Sequence, residues 1–280
     1  MATSAQGQSR QPQRIGVTLF LERPAEIDYR RLIERVGEPL GIAPDAADNA
    51  KQGGSLVLPV SGDVVMGLRI DMPYPERLDG PAMHAYWWPN AAKDIARSTS
   101  HLMVFCAWSG LSRLEAHQRH LILVRGLAEQ LPVIGVLWGS VLSQSAVLAA
   151  WCDAMLEGTP PFPLWVLIQG SRQANGNVLL STLGMRDFEQ MEIETESSLS
   201  PEESQGIVRE FGAHILTEGP VVKDGDTIGF SPEQRITVRH RRSFRADVND
   251  NVYWLELTEK PTVPRPTDFF SRLFGSSRKQ

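Results

Sequence analysis

Apolar positions along the chain form two kinds of pattern, short continuous runs and longer stripes spaced by three and four residues. Ile15–Leu21 (IGVTLFL) is a continuous run and predicts a buried strand. From about Glu26 the spacing changes, and Tyr29, Leu32, Ile33 and Val36 share one face of a predicted helix. The loop GIAPDAADNAKQGG interrupts the pattern before two strand-like runs, SLVLPV and DVVMGLRIDM, with Ser61-Gly62 as a tight hairpin turn. After the loop PYPERLDGPAMHAYWWPN, Asn90 is placed to cap a short helix containing Ala91, Ala92 and Ile95. His101–Trp108 (HLMVFCAW) predicts another buried strand. Strand, helix, strand, strand, helix, strand is the split βαβ, or ferredoxin-like, chain order.

A helix over about Arg113–Leu131 closes this half, with Leu114, Leu121, Val124, Ala128 and Leu131 at helical spacing and Pro132 as its stop. The strand VIGVLWG opens the second half. A helix over about Leu142–Leu156 is apolar nearly all round, which predicts burial. FPLWVLIQGSR and NVLLSTLGM read as strands joined through Asn175-Gly176, a hairpin turn signal. QMEIETES alternates as an exposed strand would. Ser200-Pro201-Glu202-Glu203 is the clearest helix start, a capping box with Pro in the first turn. Ile207, Val208, Phe211 and Ile215 face inward, and Gly219-Pro220 ends the helix. RITVRHRR and NVYWLEL supply the last strands.

The reading is an α/β (α+β) fold of two ferredoxin-like or split βαβ sandwich halves with mixed or antiparallel sheets. Residues 1–14, rich in Gln, Ser and Arg, are expected to be disordered. The halves span 15–131 and 132–258, and a Pro-rich linker with a short amphipathic end occupies 259–280. Phe269, Phe270, Leu273 and Phe274 share one face of that end, which suits packing on the domain, docking to a partner or weak membrane contact.

Composition narrows the function classes. The net charge of −5 makes nucleic acid a poor partner, because phosphate-tracking proteins carry a basic face. It suits a basic protein partner or simple solubility. Cys106 and Cys152 both sit in apolar runs and read as buried free thiols. No secretory signal and no apolar run of bilayer length is visible, so a cytoplasmic protein without stable membrane association is expected.

Several constellations could carry chemistry, each with a plainer reading. His117 and His120 are three apart near Glu115, but zinc helices space their histidines by four, and His117 falls on the apolar stripe. We expect a packed or surface pair and no metal. Ser140 follows Trp138-Gly139 where a strand meets a helix, yet Gly-x-Ser-x-Gly is absent, so Ser140 or Ser143 is expected to cap. His101 and Cys106 lie five apart on one strand and so point to opposite faces. Asp224 and Asp226 flank Gly225 beside Lys223, a pattern that makes turns and can also contact a ligand. Tyr86-Trp87-Trp88-Pro89-Asn90 places two tryptophans on a loop, one suited to the core and one to a lid or interface anchor. No phosphate loop is present and no cofactor is expected.

Four segments together carry a resemblance: GVLWGSVLSQSAV, NVLLSTLGMRDFEQMEIE, the capped helix to Gly219-Pro220, and VKDGDTIG. They span about residues 133–240 and resemble the C-terminal module of an uncharacterised bacterial domain-of-unknown-function family with a Lys-Asp-Gly-Asp-Thr-Ile-Gly motif. The resemblance implies a bacterial α/β protein and transfers no active site. Relatives look like accessory proteins encoded near secretion or toxin loci. The expectation is therefore a non-enzymatic immunity protein, or antitoxin, that neutralises a cognate toxin such as a type VI secretion effector. Its partner-binding residues would be Trp87, Trp88, Asn90, Asp224 and Asp226. The alternatives are an adaptor or chaperone for a secreted effector, or a hydrolase using Trp87, Trp88, His101, Asp224 and Asp226 between the halves.

Overall fold

The computed structural model describes residues 13–49, 51–52, 55–60, 62–85, 87–229, 235–245 and 249–257. The expectations for residues 1–12, Ser61, Tyr86 and the carboxy-terminal tail lie outside the described residues. The chain divides into two compact units, Met1–Arg77 with Ala92–Trp138, and Leu78–Ala91 with Gly139–Gln280. Leu78–Ala91 is thus a strap: its flanks on both sides build the first unit while it belongs to the second.

The first unit contains β1 (Gln13–Leu21), α1 (Tyr29–Leu40), α2 (Ala46–Asn49), β2 (Lys51–Gln52), β3 (Ser55–Val60) and β4 (Asp63–Ile70). After the strap, which carries α3 (Asp79–Met83), come α4 (Ala91–Ile95), β5 (Ser100–Trp108), α5 (Arg113–Ala128) and β6 (Val133–Trp138). Its strands run in the order β2-β3-β4-β5-β1-β6, and neighbouring strands are antiparallel. One face is packed by α5, with α1 laid against α5. Val17, Leu19, Leu102 and Val104 of the sheet and Leu32, Val36, Leu121 and Val124 of the helices form this core. Gly126 lets the helices approach, since a Cβ there would stand 2.5 Å from Val36 Cγ1.

The first helix starts at Tyr29, later than the pattern suggests, because Asp28 is its cap and accepts from the Arg31 amide. Glu26 instead pairs with Arg69 at 3.0 Å. α5 opens with the capping box of Ser112 and Glu115 and ends at Ala128 rather than Leu131. Its last turn tightens as Gln130 and Leu131 both donate to the Leu127 carbonyl ahead of Pro132.

The second unit continues with β7 (Val141–Gln144), α6 (Ser145–Leu156), α7 (Phe162–Trp165), β8 (Leu167–Arg172), β9 (Val178–Leu183) and a 3-10 turn at Met185–Phe188. Then come β10 (Ile193–Ser197), α8 (Pro201–Glu218), β11 (Thr227–Ile228), β12 (Ile236–Arg242) and β13 (Asn251–Glu256). The sheet order is β11-β12-β13-β10-β9-β8, antiparallel except where β10 runs parallel to β13. α8 carries the expected capping box and buries Ile207, Val208, Phe211 and Ile215, with Phe211 edge-on to Tyr253 at 5.5 Å.

Three expectations need correction. Val141–Gln144 is strand, so α6 starts at Ser145, and its N-cap Gln144 makes no side-chain cap; neither Ser140 nor Ser143 caps it. Phe162–Trp165 is a helical turn that precedes β8, because Pro163 suits its first turn and the Val166 amide donates to the Phe162 carbonyl. β10 is buried rather than exposed, since it lies between β9 and β13. The fold is α+β with two sheets, antiparallel or mixed, as the patterning implies. No helix among the described residues is long and apolar enough to cross a membrane.

Candidate functional site

The first sheet has an open face. β4 alternates: Val65 and Gly67 are buried, while Val64, Met66 and Leu68 are 45%, 56% and 46% exposed. Register extends this stripe sideways. Met66 lies opposite Phe105 of β5, itself 42% exposed, and Leu68 lies opposite Met103. On the other side Val57 and Pro59 of β3 oppose Met66 and Val64. Gly16 of β1 opposes Phe105, and its missing side chain lets the ring lie down, since a Cβ there would be 2.9 Å from Phe105 Cε1. The result is a strip four strands wide whose named positions carry no charge; Arg14, opposite Ala107, marks its margin. A contiguous apolar patch of this kind on a folded surface marks an interaction site.

The strap places the tryptophan pair. Trp88 is 4% exposed and packs as core, whereas Trp87 is 45% exposed. Asn90 is exposed. Trp87 and His84 line a cleft of about 70 Å³ in the second unit with Ser143, Gln205 and Arg209. Burial pulls the Arg209 guanidinium below its ordinary pKa, against the nearby Glu210 charge. His84 also lines a cleft of about 230 Å³ with Gln169, Ser181, Phe244 and Arg245.

Asp224 and Asp226 sit apart from the strap, at the β11–β12 edge. Asp224 accepts from the His240 amide at 2.8 Å, and Asp226 accepts from the Lys223 amide at 2.7 Å. Gly225, at φ 85°, donates to the Val238 carbonyl, and Val238 donates back to the Asp226 carbonyl. The Asp224 carboxylate thereby fastens the turn onto β12, and that of Asp226 closes the turn on itself.

Two acids that patterning assigned to an exposed strand are the most buried carboxylates among the described residues. Glu192, 4% exposed, accepts from Thr182 Oγ1 at 2.7 Å and from the amides of Gly184, Met185 and Arg186 at 3.1, 3.4 and 3.4 Å. It closes the amino end of the 3-10 turn. Glu194, 1% exposed, accepts from Ser243 Oγ and from the Phe244 amide at 3.1 Å, which pins the start of the segment leading to Arg245. The usable signal was the hydroxyl-rich company of Ser181, Thr182 and Ser243, but only pairing shows that these residues meet the acids.

The remaining candidates pack. His117 stacks on Trp138, its Nδ1 2.9 Å from the Arg113 carbonyl, and burial pushes its pKa down to about 4. His120 lies edge-on to Trp108 and Trp138, and burial with the neighbouring His117 pushes it down to about 3. Burial pushes the Cys106 thiol up to about 12, so it is not a nucleophile at neutral pH. His101 sits edge-on to Tyr74 with Nδ1 2.9 Å from the Met72 carbonyl.

A family model described as Domain of unknown function (DUF4261) matches residues 181–252. The matched stretch holds Glu192, Glu194, α8, the Asp224–Asp226 turn and Ser243, and leaves the first unit outside it. No curated protein and no solved structure matches the chain.

Proposed function

We propose that this chain is a non-enzymatic protein-binding protein that engages its partner through the open face of the first sheet. The observation that carries the reading is the uncharged strip of Val64, Met66, Leu68 and Phe105, with Gly16 against the Phe105 ring. Side chains of this size leave water only when something apolar covers them, and burying each is worth about 1.5–3 kcal/mol. In its sharper form the partner is a toxin, and the chain is an immunity protein that occludes it in the cytoplasm. The acidic balance of the chain supports that form. An adaptor that carries an effector while leaving it active would use the same face.

The test pairs the wild-type chain with Met66→Lys and Phe105→Glu. Both positions are solvent-exposed, so melting temperature should stay within about a degree or two. Co-expression with a toxin recovered from a pull-down with the chain should show protection by wild type and loss of protection by both variants. Protection that survives both substitutions refutes the role of the face. Failure of the wild type to protect, with a stable complex still formed, replaces immunity with the adaptor reading.

A further inference from the structure

We infer that the larger cleft of the second unit, over the face of β8 and β9, binds a single neutral sugar ring. It shares no residue with the open face of the first sheet, so it stands or falls apart from the proposed function.

Register builds the floor. Gln169 of β8 lies opposite Ser181 of β9, and Ser171 lies opposite Leu179. Directly opposed residues point to one side of a sheet, and these four line the cleft of about 230 Å³. Ser181 also lies opposite Glu194 of β10, so that carboxylate belongs to the same face. Glu194 is 1% exposed and commits both oxygens to the segment beside the cleft, accepting from Ser243 Oγ and from the Phe244 amide. A buried carboxylate persists only when its oxygens are satisfied, and satisfying these fixes the backbone at Phe244. Trp254 braces the Phe244 ring, the two nearly perpendicular with centroids 6.5 Å apart. The ring is 41% exposed and forms the cleft wall beside the polar floor.

The hydrogen-bonding inventory gives the ligand class. Ser181, 4% exposed, accepts from Gln169 Nε2 at 3.2 Å, and its own O–H has no acceptor among the described residues. Ser171 Oγ accepts from Gln173 Nε2 at 2.9 Å and likewise keeps its O–H. Gln169 keeps Oε1 as an acceptor. The floor thus offers two hydroxyl donors and an amide acceptor and carries no charge. Sugar hydroxyls donate and accept at once, which matches such a mixed set. Ser171 and Ser181 occupy diagonal positions, about 7–8 Å apart at the backbone. Hydroxyls on opposite sides of a pyranose span that gap, whereas one amide or carboxylate does not. The C–H face of the ring is apolar and packs on an aromatic wall such as Phe244. A few placed polar groups beside an aromatic side chain is the general form of a small-molecule site. At about 30 Å³ per water the cleft has room for about eight waters, enough for one ring and not for a chain of them.

Saturation-transfer difference NMR on the full-length chain reads the binding. The probes are the methyl glycosides of glucose, galactose, mannose and N-acetylglucosamine, with glycerol and adenosine titrated alongside. At least one glycoside should bind with a Kd of about 1 mM or tighter, and glycerol, which has hydroxyls but no ring face, should bind at least about tenfold more weakly. Phe244→Ala removes the wall and Gln169→Leu removes the amide of the floor. Neither side chain is fully buried, so both variants should fold, and each should weaken the best glycoside by at least about tenfold. Binding by none of the glycosides overturns the inference. So does an affinity no better than that of glycerol, tighter binding of adenosine than of every glycoside, or glycoside binding that survives both substitutions.

Discussion

Gly212 lies on α8 over the ring of Phe162, and a methyl group built there would stand 2.2 Å from Cε2 and 2.6 Å from Cζ. Carbon pairs are comfortable at about 3.5–4.0 Å, so helix or ring must retreat by more than about 1 Å. Phe162 is 1% exposed and has little room to yield in a close-packed interior. Overpacking of this kind costs about 1–3 kcal/mol. Alanine returns about 1 kcal/mol through its helix propensity. The 2.2 Å approach places the clash at the upper end of that range, so Gly212→Ala should lower stability by about 2 kcal/mol. Gly206 lies on the same helix with no atom within 4 Å of its missing Cβ. Gly206→Ala should collect the propensity term alone and raise stability by up to about 1 kcal/mol. The chemical change and the helix are the same, and only the neighbour differs. Equilibrium urea unfolding, followed by far-ultraviolet circular dichroism, reads both shifts in midpoint. Two variants that move in the same direction, or a Gly212→Ala chain as stable as wild type, would refute the packing argument.

Four further outcomes follow from the geometry. Glu192→Ala orphans four donors and should cost about 3 kcal/mol or more, while Glu192→Gln should cost less; urea midpoints rank them. Ser200→Ala removes the cap of α8 and should cost about 1 kcal/mol by the same assay. His117 and His120 are held neutral, with folded pKa values of about 4 and about 3 below the ordinary 6.5, so the unfolded chain binds more protons between those limits. Their contribution is full above about pH 6.5 and is lost as pH falls toward 4; a His120→Leu chain should show a shallower loss of melting temperature over that range. Cys106 should resist iodoacetamide at pH 8 in the native chain and react once urea unfolds it; rapid native alkylation would contradict its burial.

Element existence was legible wherever period and punctuation agreed. The Ser200 capping box, the Asn175-Gly176 turn and the apolar stripe of Leu32, Ile33 and Val36 each specify their own local structure. That the Trp87–Trp88 pair could divide between core and surface was also legible, because neighbours on a short loop point to different sides; which of the two is buried was not. Illegible features were those set by pairing. Ile193–Ser197 alternates like a surface strand, and only its position between β9 and β13 buries Glu192 and Glu194. The open strip on β4 and β5 has the same origin: Met66 and Phe105 are thirty-nine residues apart and meet only through register. Val141–Gln144 reads as helix by apolarity alone because a short buried strand and a buried helical turn share that pattern.

The strap has a consequence for how such a chain can be divided. Leu78–Ala91 supplies the second unit with buried Trp88 and with the His84 and Trp87 walls of its clefts, yet it is encoded inside the first unit's stretch. A fragment beginning at Gly139 leaves those pieces behind, and one ending at Trp138 keeps Trp88 without the body it belongs to. There are two folded bodies but no single cut that separates them. Any recombination that exchanges one body whole must therefore use more than one crossover.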